Sequence, residues 1–142
     1  MKVLIDTNVA LTYVSGRDDT YSGEIDAIMR LCAEDAVEGA IALHTLSTIW
    51  YCARKLPDDI RRDWIRQLCI LFTVTGADNA ALIQAVEQTD FRDFEDAMQD
   101  CCASAFEADY IITANVRDFE GHSRVPAVTP TTFMEHIAPA LE

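Results

Sequence analysis

Residues 93–119 read DFEDAMQDCCASAFEADYIITANVRDF. Phe94, Ala97, Met98, Cys101, Cys102 and Ala105 fall at i, i+3, i+4, i+7, i+8 and i+11, a single helical stripe. Asp93 stands where an N-cap belongs. The periodicity then changes. Tyr110 to Thr113 is a short apolar run that reads as a buried strand, and polar residues follow at once, with Thr113, Asn115 and Asp118. A helix leading into a strand whose exit is polar is one half of an α/β repeat.

The same grammar extends in both directions. Val3 to Asp6 is a strand rich in branched residues, and Asn8 to Val14 a short helix ended by Ser15 and Gly16. Tyr21, Ile25, Ile28, Leu31 and Cys32 give an amphipathic helix over 20–37, with Gly39 as its stop and Ile41 to Leu43 as the second strand. Thr45 opens a helix carrying Leu46, Ile49, Trp50, Ala53 and Leu56, and Pro57 divides it from the next, marked by Ile60, Trp64, Leu68, Leu71 and Phe72. Thr73 to Thr75 is a candidate strand, and Asp78 caps a helix containing Leu82, Ile83 and Val86. Val125 to Val128 is a last strand, and Pro130 sits at N1 of a final helix. Strands separated by helices imply a parallel sheet covered on both faces. In that class functional groups gather beyond the carboxyl ends of the strands, near a topological switch point.

The 142 residues suit one domain, 1–142, with its own core. The longest apolar runs are too short to span a bilayer, and Met1-Lys2 followed by a strand is not a signal-peptide layout. A soluble cytoplasmic protein is expected. The five cysteines, at 32, 52, 69, 101 and 102, form no CxxC pair, and buried free thiols are expected rather than a zinc site. The net charge of −13 repels nucleic acid at long range, so any such binding must be local: a basic strip, a bound cation or a second subunit.

Asp6, Asp93, Asp96 and Asp118 all fall at strand exits or at the start of a helix feeding one. Each has a plain alternative. Asp6 can cap the following helix, Asp93 can be an N-cap, Asp96 can be an acid in a first helical turn, Thr113 and Asn115 can be turn residues, and Asp118 a surface charge. Brought together without Lys or Arg, carboxylates repel, and a hard divalent ion resolves the conflict. Mg²⁺ or Mn²⁺ on such oxygens suits phosphodiester hydrolysis.

VLIDTNV at 3–9, DFEDAM at 93–98, ADYIITANVRDF at 108–119 and VPAVTPTTF at 125–133 resemble the PIN domain, and TLSTIWYCARK at 45–55 is similar to a helix of that family. The resemblance implies a three-layer α/β/α sandwich with a central parallel sheet of about five strands. It implies a Mg²⁺- or Mn²⁺-dependent ribonuclease acting on RNA, similar to the VapC-type toxins, which pair with an antitoxin and form homodimers. Asp6 and Asp96 match acidic metal ligands. Asp118 matches a third, with Asn115 beside it where the family often has Asp. Thr7, Asn8 and Thr113 match supporting positions, and Asp93 belongs to the same DFED turn. One departure is plain: the family's Glu in the helix after the second strand is Thr48 here, a neutral hydroxyl. A metal-dependent endoribonuclease and a catalytically weakened module that binds RNA or protein both remain open on this ground. A phosphatase with Asp6 as nucleophile is disfavoured, because DTN lacks a second Asp two residues on. Arg54, Lys55, Arg61, Arg62 and Arg66 cluster on and after the Trp50 helix, where they either carry an RNA backbone or form a solvated face.

Overall fold

The computed structural model describes residues 1–141. Five strands form a single sheet: β1 Lys2–Ile5, β2 Glu38–Ala42, β3 Thr73–Thr75, β4 Tyr110–Ile112 and β5 Ala127–Val128. The order is β3-β2-β1-β4-β5 and every pairing is parallel. The connections are α1 Thr7–Ser15 and α2 Ser22–Ala33, then α3 Leu43–Cys52 and α4 Asp58–Leu71, then α5 Asn79–Glu87 and α6 Phe94–Ala105. After β5 the short α7, Pro130–Thr132, continues through π and 3₁₀ turns to Leu141.

The alternation of side chains along the strands divides the core into two. Val3, Ile5, Ile41 and Ile112 face α1, α2, α4 and the C-terminal turns, packing on Val9, Ile25, Ile28, Leu68 and Phe133. Leu4, Ala40, Ala42 and Ile111 face α5 and α6, packing on Ala85, Ala97, Cys101 and Ala103. Both faces of the sheet are therefore covered, giving three layers. The strand order reverses at β1, which has β2 on one side and β4 on the other. The switch point is the crevice between the carboxyl ends of β1 and β4.

Several boundaries differ from the sequence reading for identifiable reasons. Gly39 does not end α2. Asp35 does, at φ 57°, with Ala36 N donating to Leu31 O and Asp35 N to Cys32 O, a Schellman closure. Gly39 instead lies inside β2, where a Cβ would come within 2.8 Å of Cys32 Sγ and 2.9 Å of Phe72 Cδ1. The strand expected at 41–43 is thus 38–42, and α3 starts at Leu43 rather than at Thr45, which is buried. Three cysteines, 32, 101 and 102, are buried as expected, but Cys52 and Cys69 are exposed on the outer faces of α3 and α4. No described helix is long and apolar enough to cross a membrane.

Candidate functional site

β1 and β4 run in register, with Ile5 opposite Ile112, so Asp6 and Thr113 leave the sheet side by side. Asp6 N continues the ladder to Ile112 O at 3.0 Å. Its side chain is buried, and both carboxylate oxygens accept hydrogen bonds. Oδ1 accepts from Thr7 N at 2.8 Å, and Oδ2 accepts from Thr113 Oγ1 at 2.7 Å and from Asn8 Nδ2 at 3.0 Å. Asn8 Oδ1 in turn accepts from Ala114 N, and Thr113 Oγ1 from Asn115 N. Asp6 does cap α1, as its position alone allowed, yet the same carboxylate also ties the exit of β1 to the exit of β4.

The electrostatics of this carboxylate are those of a buried acid. Burial pushes Asp6 up from 3.8 to about 6, against the Thr113 hydrogen bond that favours its charged form, and the nearby Glu95 charge adds to the rise. Asp96, in the first turn of α6, is pushed up to about 7 by burial and by the charges of Asp6, Glu95, Asp118 and Asp93. The acids chosen from sequence therefore share one field at the switch point. Asp93 serves as the N-cap of α6, accepting from Glu95 N at 2.9 Å. Asp118 closes a 3₁₀ turn, Val116–Asp118, that begins just after Asn115.

Glu95 was not singled out by the sequence. Its Oε1 accepts from Gln99 Nε2 at 2.9 Å and Thr7 Oγ1 at 3.1 Å, and lies 3.1 Å from His44 Nε2. Gln99 is fully buried, and its amide nitrogen also reaches Thr7 Oγ1 and Thr45 Oγ1. Burial alone would raise the Glu95 carboxyl. The hydrogen bonds from His44, Gln99 and Thr7 outweigh it and hold the group below the ordinary value of 4.5. Gln99 lies off the apolar stripe of α6, so nothing in the sequence signals its burial or the carboxylate it holds.

Thr48 does not point its hydroxyl at these acids. Oγ1 donates to His44 O, one turn back on α3, at 3.1 Å. The expected basic strip is largely engaged in its own packing. The Arg61 guanidinium lies 3.6 Å from the Trp50 ring centre and donates to Trp50 O at 2.9 Å. Arg62 lies 5.6 Å from the same ring and pairs with Asp58 at 2.6 Å, and Arg54 stacks on Tyr51. Lys55 is exposed. A different basic group borders the acids: Arg92, Arg117 and His122 line a cavity of about 270 Å³ together with Asp90 and Asp118.

The donor set is all oxygen. The described ion pairs are His44–Glu95, Arg62–Asp58, Arg66–Asp63 and His136–Glu135, so none engages Asp6, Asp96 or Asp118. Among the described residues no group of three or more His, Cys, Asp or Glu side chains is placed to hold a metal ion. Such an open, hard set does not suit zinc. Oxygen donors are the kind that Mg²⁺ or Mn²⁺ takes, one or two carboxylates directly and others through retained water.

A sequence model of the PIN domain matches residues 2–117. No curated protein matches the chain. Three solved structures are similar in fold. VapBC from Salmonella typhimurium bound to DNA gives a TM-score of 0.72 at 18% identity, over 92% of this chain and 98% of that one. VapBC2 from Rickettsia felis, bound to a promoter fragment, gives 0.68 at 14%, over 91% and 98%. VapC20 from Mycobacterium tuberculosis, a toxin that cleaves the sarcin-ricin loop, gives 0.57 at 19%, over 77% and 86%.

Proposed function

The chain belongs to the PIN domain family, and from that premise we propose that it is a Mg²⁺- or Mn²⁺-dependent endoribonuclease, the toxin of a toxin–antitoxin pair. The observation that supports this most is the junction of β1 and β4. There Asp6 is buried, engaged by Thr7, Asn8 and Thr113, and shares a field with Asp96 and Asp118, none of which forms an ion pair among the described residues. Acids held against their own repulsion suit a cation-binding role better than a capping role.

In this reading Asp6, Asp96 and Asp118 hold the divalent ion, directly or through water. Asn115 orients beside Asp118, and Asn8 and Thr113 keep the Asp6 carboxylate in one rotamer. The ion, when bound, supplies Lewis acidity toward a phosphoryl oxygen and lowers the pKa of a water. Arg92 and Arg117, rather than the stacked Arg61 and Arg62, meet the RNA backbone, because their cavity shares Asp118 with the acids. An antitoxin partner is supported by the similar Salmonella and Rickettsia structures, which are of VapBC bound to DNA; a homodimer is proposed with it.

The neutral Thr48 favours a second reading, a weakened module that binds RNA or protein without cutting. One assay separates them. Purified protein is incubated with structured RNA in Mn²⁺, in Mg²⁺ and in chelator, beside Asp6→Asn. Cleavage that needs metal and disappears in the variant supports the nuclease. RNA binding with no cleavage supports the module, and equal cleavage by both proteins identifies a contaminant.

A further inference from the structure

We propose that the cavity of about 270 Å³ between the α5–α6 loop and the turn after β4 is a subsite for a single RNA phosphate, with His122 as a third donor beside Arg92 and Arg117; this rests on the ribonuclease reading above and assigns that cavity its ligand. The two segments that supply the cations are locked together by aromatic packing. Phe91, with Asp90 and Arg92 on either side, is buried and meets the fully buried Phe119 edge-on, the ring centres 6.3 Å apart at 80°. The His122 ring packs on Phe91 at 5.7 Å, tilted by 54°. The turn that carries Arg117 and His122 is closed by its own hydrogen bonds. Val116 O accepts from Phe119 N at 3.0 Å and from Glu120 N at 3.1 Å, and Phe119 O accepts from His122 N and Ser123 N, both at 3.0 Å. Gly121, at φ 77°, supplies the left-handed step that this closure needs. A solvated basic rim requires none of this anchoring.

The charges in this cavity are held apart. Asp90 and Asp118 line it too, yet neither Arg92 nor Arg117 forms an ion pair among the described residues. Guanidinium groups placed there to neutralise those acids would sit against them. Elsewhere the arginines are engaged: Arg54 with Tyr51, Arg61 with Trp50, Arg62 with Asp58 and Arg66 with Asp63. A guanidinium offers a planar fork of N–H groups that matches phosphate oxygens, and an imidazole adds one directional N–H in either charge state. The two carboxylates temper the attraction, so a lone phosphate should bind only in the millimolar range, and RNA should gain the rest of its affinity from further contacts.

Both arms of the test are run in EDTA, so neither metal nor cleavage enters. In the first, inorganic phosphate is titrated into the wild-type protein at fixed pH and ionic strength and followed by NMR. The side-chain signals of His122 and Arg117 should shift with one common dissociation constant while that of Arg62 stays in place. No shift, or an equal shift at Arg62, overturns the proposal. In the second, a short single-stranded RNA is bound and followed by fluorescence anisotropy. His122→Phe keeps a ring on Phe91 but removes the N–H, and should weaken binding about threefold, the scale of one hydrogen bond. His122→Gln restores a donor and should stay within about twofold of wild type. Equal losses in the two variants overturn the proposal, because the N–H is then not the cause. Arg117→Gln should cost about tenfold, and the double variant with His122→Phe clearly less than the product of about thirtyfold, since both side chains hold one group. The full product overturns the proposal. Phosphate shifts at His122 with unchanged RNA affinity in His122→Phe mark a site for free phosphate and overturn the RNA assignment. If the wild type cuts RNA in Mn²⁺ and His122→Phe binds RNA as tightly as wild type, the nuclease reading stands and this subsite falls. A wild type that neither binds nor cuts RNA overturns both.

Discussion

In chelator, Asp6→Asn should flatten the pH dependence of folding stability, and the structure gives the size of the effect. Asp6 is 3% exposed, and burial lifts its carboxyl from 3.8 to about 6. Between those values the folded state keeps a proton that the unfolded chain has released. The unfolded state then binds fewer protons, so stability falls as pH rises. The contribution is complete below about pH 4 and is lost as pH climbs through about 6. A shift of about two units corresponds to roughly 3 kcal/mol in all. About 1.4 kcal/mol of it should disappear between pH 5 and 8, by the linkage relation. That window avoids the isoelectric region near pH 4.4, where the vanishing net charge invites precipitation. Asp96 has the same sign and extends the decline through about pH 7, discounted for its partial exposure. Urea unfolding in EDTA at pH 5 and pH 8 is the assay. Asparagine does not titrate, so the variant should lose less stability over the window than wild type, by about 1.4 kcal/mol or more. The excess reflects Asp96, which no longer feels the Asp6 charge. Any fixed cost of the new amide beside Asn8 cancels in the difference between the two pH values. Equal pH slopes in the two proteins would refute the picture of Asp6 as a buried acid held near neutrality. Millimolar Mn²⁺ added to wild type at pH 8 should restore the lost stability.

Two further outcomes test the framework and the approach of RNA. Gly39→Ala should destabilise by about 1–3 kcal/mol in urea unfolding, because its Cβ meets Cys32 Sγ and the Phe72 ring below 3.0 Å. Arg117→Gln or Arg92→Gln should weaken RNA binding in chelator and lower the steepness of its salt dependence by about 0.7 per contact, measured by fluorescence anisotropy over a salt series. Arg62→Gln, already paired with Asp58 and stacked near Trp50, should leave that slope unchanged.

The parts that could be read from sequence were those governed by local rules. The middle of the α6 stripe (Ala97, Cys101 and Cys102), the apolar run at Val3–Ile5 and the polar exits at Asp6 and Thr113 follow from periodicity, although Phe94 and Ala105 at the ends of the stripe are exposed; the alternation of strands and helices places both exits at one edge of a parallel sheet. The parts that could not be read depend on contacts between distant segments. Gly39 looks like a helix stop by composition; its real constraint is the Cys32 side chain of α2 and the Phe72 ring, visible only once β2 is packed. Arg61 and Arg62 form a basic strip on paper, but the α3–α4 corner folds Trp50 under them and takes Arg61 out of circulation.

Glu95 is the most instructive omission. In DFED it stands between a cap and an acid of the site, and any first-turn Glu is accounted for by the helix dipole. Its environment is set by Thr7 and His44, 88 and 51 residues away, through Gln99. The same crossing that hides it gives it meaning. A carboxylate needed only for the dipole requires no buried amide behind it, and α6 could place an alanine at 99 at no cost to its stripe. A buried glutamine with an unpaired oxygen persists in a stable core only if what it holds outweighs that penalty. What it holds is one oxygen of an acid beside Asp6 and Asp96. The Gln99 amide is therefore where buried polar pairing is left incomplete so that one carboxylate is fixed beside Asp6 and Asp96.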